Sequence, residues 1–101
     1  MLRKSYSKNK KSCRVTFVLP AEAALGAQSV NLVGDFNNWD KEATALKIKA
    51  DASWETSLSL EAGREYHFRY LIDHDRWEND WNADKYVPSP YGDSDNSVVI
   101  V

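Results

Sequence analysis

Hydrophobic and polar residues alternate along most of this chain with a period of two, the spacing expected of β-strands that bury one face. Turn-forming Pro, Gly, Asp and Asn separate these segments, and helical periodicity is nearly absent. The predicted strands lie at residues 14–19, 30–34, 46–48, 54–60, 66–72 and 98–101. Short strands at this spacing predict an all-β protein, an antiparallel β-sandwich of about seven short strands.

The segment 66–72 predicts which side chains form the core. Four large residues share one face of this strand: Tyr66, Phe68, Tyr70 and Ile72. Arg69 lies on the opposite face because side chains alternate along a strand. Trp54 is in register with the apolar positions 58 and 60 and is also predicted to be core. The final run, 98–101, is apolar at every position, so we expect it to be buried on both sides or to seal an edge.

Residues 73–96 differ in composition from the predicted strands: they are rich in polar and aromatic residues and are interrupted by proline. This segment is predicted to be one long loop, and long loops in small domains usually carry function. Trp77 and Trp81 lie within it. Trp39 lies in an earlier predicted turn.

Charge is distributed unevenly along the chain. The net charge of the 101 residues is −2, yet residues 1–14 contain six basic residues and no acid, which leaves −8 on the remainder. We predict a basic N-terminal arm at 1–12, as a solvated tail with a basic first strand, and one β-sandwich at 13–101. The acidic body argues against a nucleic-acid partner, although the arm alone leaves docking to an anion or a partner as an alternative.

Cellular context is constrained by cysteine usage and by hydropathy. The single cysteine, Cys13, cannot form an internal disulfide, which favours a cytoplasmic protein. No apolar stretch approaches the roughly 18 residues that span a bilayer, so we expect no membrane partner, anchor or secretory signal.

Catalytic motifs are missing from the sequence, so we predict that the chain is not an enzyme and needs no cofactor. Five acids in the predicted loop offer the paired carboxylates of a glycosidase: Asp73, Asp75, Glu78, Asp80 and Asp84. Exposed loop acids are normally solvated, which disfavours that role. Residues 73–75 and 93–96 carry metal-ligating side chains, but neither matches a known ligand spacing, so no metal site is predicted.

The tryptophans in predicted turns are the most informative candidates. An indole in a turn is expected to pack against something, and the C–H face of a glucose ring stacks well on it. Sugar hydroxyls need hydrogen-bonding partners, which Asn37, Asn38, Arg69 and Asn96 are placed to supply. The alternatives are that the loop tryptophans cap the ends of the sandwich or anchor a protein interface.

The residues 30–39, which read VNLVGDFNNW, are followed by L-x-x-G-x-x-Y-x-F-x-Y-x-I-D at 60–73 and by Trp77. This pattern resembles the family 48 carbohydrate-binding module, also called the isoamylase-type early-set domain. That module occurs beside the catalytic domains of isoamylases and branching enzymes and in the β subunit of AMP-activated protein kinase. The resemblance covers about residues 13–101 and implies an immunoglobulin-like β-sandwich.

The resemblance also implies a site and a ligand. In glycogen-binding members, two tryptophans cradle an α-1,4-glucan, and Trp39 and Trp77 match them. Arg69 falls where those members carry lysine, and Asn96 matches an asparagine near the last strand. Kinase modules insert a leucine into the sugar coil, whereas this chain has Gly92 nearby.

The resulting prediction is noncatalytic binding of glycogen, starch or maltooligosaccharide, with a glycogen-metabolising enzyme as an additional partner. The alternative is a protein-interaction or self-association module that keeps the fold and binds no sugar.

Overall fold

Two antiparallel sheets pack face to face in the computed structural model, which describes residues 2–90 and 94–101. The strands are β1 (Leu2–Tyr6), β2 (Ser12–Leu19), β3 (Val30–Gly34), β4 (Lys47–Ile48), β5 (Trp54–Glu61), β6 (Glu65–Ile72), β7 (Arg76–Glu78), β8 (Lys85–Pro88) and β9 (Asp95–Ile100). One sheet has the order β1-β2-β5-β4, and the other has the order β3-β6-β9-β8 with β7 also paired to β6. Single 3-10 turns occur at Ala21–Ala24 and Asp35–Asn37. The predicted all-β, immunoglobulin-like sandwich is confirmed.

The core forms where the alternating apolar faces of β2 and β6 meet. Phe17 of β2 packs edge-on against Phe68 of β6, with ring centroids 5.1 Å apart. All four predicted core residues of β6 are buried, and Trp54 is only 7% exposed. Burial of such large side chains is the main source of stability in a domain of this size. The core prediction is therefore confirmed.

The described part of the chain contains nine strands, whereas the sequence predicted about seven. The segment 73–96, predicted to be a long loop, contains β7, β8 and the beginning of β9. β7 has three residues and β8 has four. Strands this short show too few alternations to be recognised by periodicity, and only their pairing with β6 and β9 defines them.

Residues 2–6 of the predicted basic arm form β1, an edge strand, and are not a free tail. β1 pairs with β2 from Leu2↔Phe17 to Tyr6↔Cys13. The Lys4 Nζ atom lies 2.7 Å from the Asp84 Oδ2 atom, and this contact ties the first sheet to the second. The last strand, β9, lies between β6 and β8, with Val98 and Val99 fully buried.

A buried polar network fixes the segment between β7 and β8. The Tyr70 hydroxyl donates a 2.8 Å hydrogen bond to Asp80 Oδ2, and Asp80 is 1% exposed. Its other carboxylate oxygen accepts a hydrogen bond from the Asn82 backbone N–H, and the Asp80 N–H donates to Ser97 Oγ. The Tyr86 hydroxyl donates to the Asp80 carbonyl oxygen. The segment is therefore held to the core by directional bonds.

Alkaline pH is expected to destabilise the fold through Tyr70. Burial, together with the Asp80 carboxylate, raises the pKa of Tyr70 well above its usual 10.0. Between that value and the folded-state pKa, the unfolded chain loses a proton that the folded chain retains. The contribution of Tyr70 to the free energy of unfolding is therefore fully present below about pH 10. Above that pH it falls by about 1.4 kcal/mol per pH unit until the folded-state pKa is reached.

Urea unfolding between pH 8.5 and 11 measures this decline directly. Tyr70→Phe is expected to lower stability at pH 8.5 and to remove this component of the slope. Tyr6→Phe, at a tyrosine that is 48% exposed, is the matched control and keeps the wild-type slope. Identical slopes in wild type and Tyr70→Phe would contradict the prediction.

Candidate functional site

An open cleft of about 730 Å³ lies on the face of β6 that points away from the core. β6, β7 and β9 form its floor and sides, and the turn after β3 forms its rim. Its lining residues are Asp35, Asn38, Trp39, Lys41, His67, Arg69, Trp77, Ser89, Pro90, Ser94 and Asn96. Five of the six residues predicted from the sequence are among them, although they come from four different parts of the chain.

Trp39 owes its position to an unusual backbone. Asn38 and Trp39 both have left-handed φ angles, 56° and 58°, which turn the chain sharply after the 3-10 turn. The Trp39 N–H donates a 2.9 Å hydrogen bond to the Gly34 carbonyl oxygen. Its indole Nε1–H donates to Asp35 Oδ1, also at 2.9 Å. Both the backbone and the indole of Trp39 are thus held by hydrogen bonds within the protein.

Asp35 was missed by the sequence analysis, which treated it only as a turn former. Its Oδ2 accepts a 2.7 Å hydrogen bond from the His67 backbone N–H, while Oδ1 holds the Trp39 indole. One carboxylate therefore connects the turn to β6 and orients a tryptophan. The sequence offered one signal for the contact with the indole, because Asp35 lies four positions before Trp39.

Asn37 is the one predicted site residue that does not line the cleft. Its Oδ1 accepts a hydrogen bond from the Gly34 N–H at 3.0 Å. Its Nδ2 donates to the Leu32 carbonyl oxygen at 2.8 Å and to Thr44 Oγ1 at 3.2 Å. Because both ends of this amide are already bonded within the protein, Asn37 holds the turn in place, and its contact with a ligand stays a prediction.

Trp77 lies on β7 opposite Leu71 of β6 and is 36% exposed. The Arg69 guanidinium lies 5.4 Å from the centroid of its ring. The Lys41 ammonium lies 5.9 Å from the same centroid. These distances are typical of cation–π contacts, so the indole sits in a strongly electropositive environment.

Arg69 and Asn96 line the floor of the cleft from adjacent strands. The predicted outward direction of Arg69 is confirmed, since this residue lines the cleft together with His67. The Nε atom of Arg69 is buried and has no hydrogen-bond partner within the described residues. Asn96 is 5% exposed and also borders the cleft. Asn38, at the rim, is exposed.

His67 and Lys41 are among the other cleft residues that were not predicted as site residues. His67 was detectable, because it lies two positions before Arg69 and therefore shares its face of β6. Lys41 was not, because it belongs to an irregular segment whose direction no pattern predicts. Trp81 is 50% exposed and does not line the cleft. Tyr91, Gly92 and Asp93, near the position of the inserting leucine in kinase modules, lie outside the described residues.

Several of the acids considered for catalysis have structural roles, as described above for Asp80. Asp73 Oδ1 accepts hydrogen bonds from the Gln28 and Ser29 backbone N–H groups, and these bonds lower the pKa of Asp73. Asp84 Oδ2 accepts from Lys4 and from the Ile100 N–H. None of the five acids lines the cleft. Over residues 2–90 and 94–101, no group of three His, Cys, Asp or Glu is placed to hold a metal.

No helix in the described ranges is long and apolar enough to cross a membrane.

A β-sandwich with an open, aromatic cleft on one sheet has the architecture of a ligand-binding module. The sequence matches carbohydrate-binding module 48, the isoamylase N-terminal domain, over residues 7–92. The chain therefore belongs to this family of noncatalytic carbohydrate-binding modules, and the resemblance seen in the sequence is confirmed. A 1,4-alpha-glucan branching enzyme GlgB from Rhodopirellula baltica is 38% identical over 56 residues, which cover 54% of this chain and 8% of that enzyme.

Proposed function

We propose that the cleft binds α-1,4-linked glucan, as glycogen, starch or maltooligosaccharide, without catalysing a reaction. The observation that carries this proposal is the convergence of Trp39 and Trp77, from distant parts of the chain, on one open cleft with Arg69 and Asn96. An open cleft suits an internal stretch of a polymer, because the chain can enter and leave at both ends. Trp39 and Trp77 supply stacking surfaces, and the polar groups between them supply hydroxyl partners.

Stacking provides the affinity in this proposal. The C–H face of a glucose ring excludes water when it covers an indole, and each such contact contributes about 0.5–1.5 kcal/mol beyond the burial of area. Ordering a flexible oligosaccharide costs part of this gain. With two or three stacked rings, we expect a Kd of roughly 10 μM to 1 mM.

Preorganisation of Trp39 supports the proposal. The hydrogen bond from its indole to Asp35 satisfies the one polar atom of the ring, and the left-handed backbone at 38 and 39 fixes its direction. A side chain that is already ordered loses little further entropy when a ligand binds. Asp35 is in this sense a positioning residue for the stack.

Native gel electrophoresis tests the proposal. Soluble glycogen cast into the gel is expected to retard the protein, and maltoheptaose is expected to quench its tryptophan fluorescence with a Kd in the range given above. Dextran, with α-1,6 linkages, and cellohexaose, with β-1,4 linkages, are the matched controls and are expected to bind at least tenfold more weakly. Migration unchanged by glycogen, with no quenching by maltoheptaose, would refute the proposal.

A protein-docking role is the second candidate, favoured by the exposure of Trp81 and Tyr86 outside the cleft, at 50% and 44%. Exposed aromatic side chains are common anchors at interfaces. The similarity to a branching enzyme suggests a glycogen-metabolising enzyme as the partner. Co-sedimentation with glycogen in the presence and absence of a branching enzyme separates the roles, because docking increases the amount of enzyme recovered with the polysaccharide.

A further inference from the structure

The cleft presents more positive charge than a neutral sugar requires. Lys41 and Arg69 both approach the Trp77 ring, at 5.9 and 5.4 Å from its centroid. Across the described ranges, the ion pairs found involve other basic residues, and neither of these two cations forms one. No carboxylate of residues 2–90 or 94–101 therefore forms an ion pair with either of them.

The acid of the cleft offsets at most one of the two positive charges. Asp35 is the sole carboxylate among the described lining residues, and each of its oxygens already accepts a hydrogen bond, from Trp39 Nε1 and from the His67 N–H. The Arg69 Nε–H group is buried and has no acceptor in the described chain. A buried donor without a partner costs free energy, so the described protein leaves this guanidinium short of acceptors.

The two cations of the cleft lie in a part of the sequence that is acidic as a whole. The residues that follow the basic N-terminal segment carry a net charge of −8, and Lys41 and Arg69 lie within that acidic portion. A neutral glucan offers hydroxyls that both donate and accept, and it gains less from the two positive charges than an anion does. A dianionic group with several acceptor oxygens, in contrast, satisfies a guanidinium and an ammonium together.

We propose that the cleft preferentially binds α-glucan that carries a phosphate monoester, with Arg69 and Lys41 contacting the phosphate while Trp39 and Trp77 stack on neighbouring glucose rings. Arg69, half-buried beneath the indole, offers its planar donor group from a fixed position. Lys41, exposed at the rim, approaches as a point charge on a flexible stem. This inference rests on the proposed function and adds the chemical class of the preferred glucan.

The test compares one maltodextrin preparation before and after removal of its phosphate. Phosphorylated maltodextrins from a phosphate-rich starch, and an aliquot treated with phosphatase, are titrated into the wild-type protein in 20 mM salt. Binding of the phosphorylated form is expected to be about five- to tenfold tighter, and the preference is expected to disappear by 300 mM salt because ions screen the contact.

Variants assign the preference to the two cations. Lys41→Gln is expected to reduce the preference at least threefold while the dephosphorylated maltodextrin still binds. Arg69→Gln is expected to reduce the preference at least as much and also to weaken binding of the dephosphorylated maltodextrin, because Arg69 belongs to the glucan cleft itself. Lys47→Gln, at an exposed cation on β4 outside the cleft, is the matched control and keeps the wild-type preference. Arg69→Lys is expected to restore part of it, since the charge is retained.

The outcomes separate the inference from the proposed function. Equal affinity for both maltodextrins would overturn the phosphate preference and leave glucan binding intact. Binding of neither preparation would overturn the proposed function itself. Inorganic phosphate at millimolar concentration is expected to compete only weakly, because it lacks the stacked rings. Full displacement of the phosphorylated maltodextrin by an equal concentration of inorganic phosphate would show an anion site unrelated to glucan.

Discussion

Trp77→Ala is expected to weaken the binding of glycogen and maltoheptaose at least about tenfold while the fold survives. The side chain is 36% exposed and projects from a three-residue strand at the border of its sheet, so truncation removes little core packing. It removes a stacking surface and also the ring that Arg69 and Lys41 approach. Loss of a stacked ring from a weak complex is expected to raise the Kd by at least about tenfold, to roughly 100 μM or weaker.

Trp39→Ala is expected to have the same effect by a partly different route. It removes the second stacking surface and leaves Asp35 Oδ1 without the indole donor. Trp39→Phe separates the two contributions, because a phenyl ring still stacks but cannot donate to Asp35. We expect intermediate affinity for Trp39→Phe.

Trp81→Ala is the matched control for these variants. Trp81 is more exposed than Trp77, at 50%, and lies outside the cleft, so its removal is expected to leave glycogen retardation and the maltoheptaose Kd unchanged. Unfolding midpoints of the four proteins show whether each variant is folded. Retardation of Trp77→Ala equal to that of wild type would refute the assignment of the site.

Gly34→Ala is expected to destabilise the protein by about 3 kcal/mol or more, by overpacking. The backbone of Gly34 is extended, with φ −172°, so no special conformation demands glycine. A Cβ there would lie 2.5 Å from the His67 carbonyl oxygen, 2.8 Å from Phe68 Cβ and 2.9 Å from Phe36 Cζ. Backbone and core atoms cannot yield as a flexible side chain can, so β3 and β6 must separate.

Gly63→Ala is the matched control because Gly63 has a demanding backbone conformation and free space around it, the reverse of Gly34. Gly63 has φ +80° and nothing within 4 Å of an added Cβ, so alanine there incurs only backbone strain of about 1–2 kcal/mol. Urea unfolding at neutral pH measures both variants. The Gly34 variant is also expected to bind glucan more weakly, since the shift displaces Asp35. A smaller loss of stability at Gly34 than at Gly63 would contradict this account.

Most of the architecture was accessible from short-range pattern. Period-two alternation located β2, β3, β5 and β6, and the same alternation assigned Arg69 to the outer face of β6. This works because neighbouring side chains on a strand must point to opposite sides. Where a strand is only three residues long, as at Arg76–Glu78, alternation carries no information and pairing with a distant strand decides the structure.

The site was predictable in its aromatic members and less so in its polar ones. Trp39 and Trp77 stood out because an indole is costly in an exposed turn, and the family motif marked the same residues. Asn37 and Asn38 are chemically identical neighbours, yet one holds the turn and the other borders the cleft. Sequence cannot separate them, since the direction of each amide depends on a left-handed backbone at 38 and on the position of Thr44.

The amino-acid pattern alone was thus sufficient for the fold class, the buried face of β6 and the family, because each depends on local alternation or on a contiguous motif. The two roles of Asp35, the approach of Lys41 to Trp77 and the crowding around Gly34 emerged only when the turn after β3 packed against β6. Three of the contacts behind these features, Asp35 with His67, Lys41 with Trp77 and Gly34 with Phe68, join residues about 30 or more positions apart. Contacts across such separations are set by the packing of whole strands.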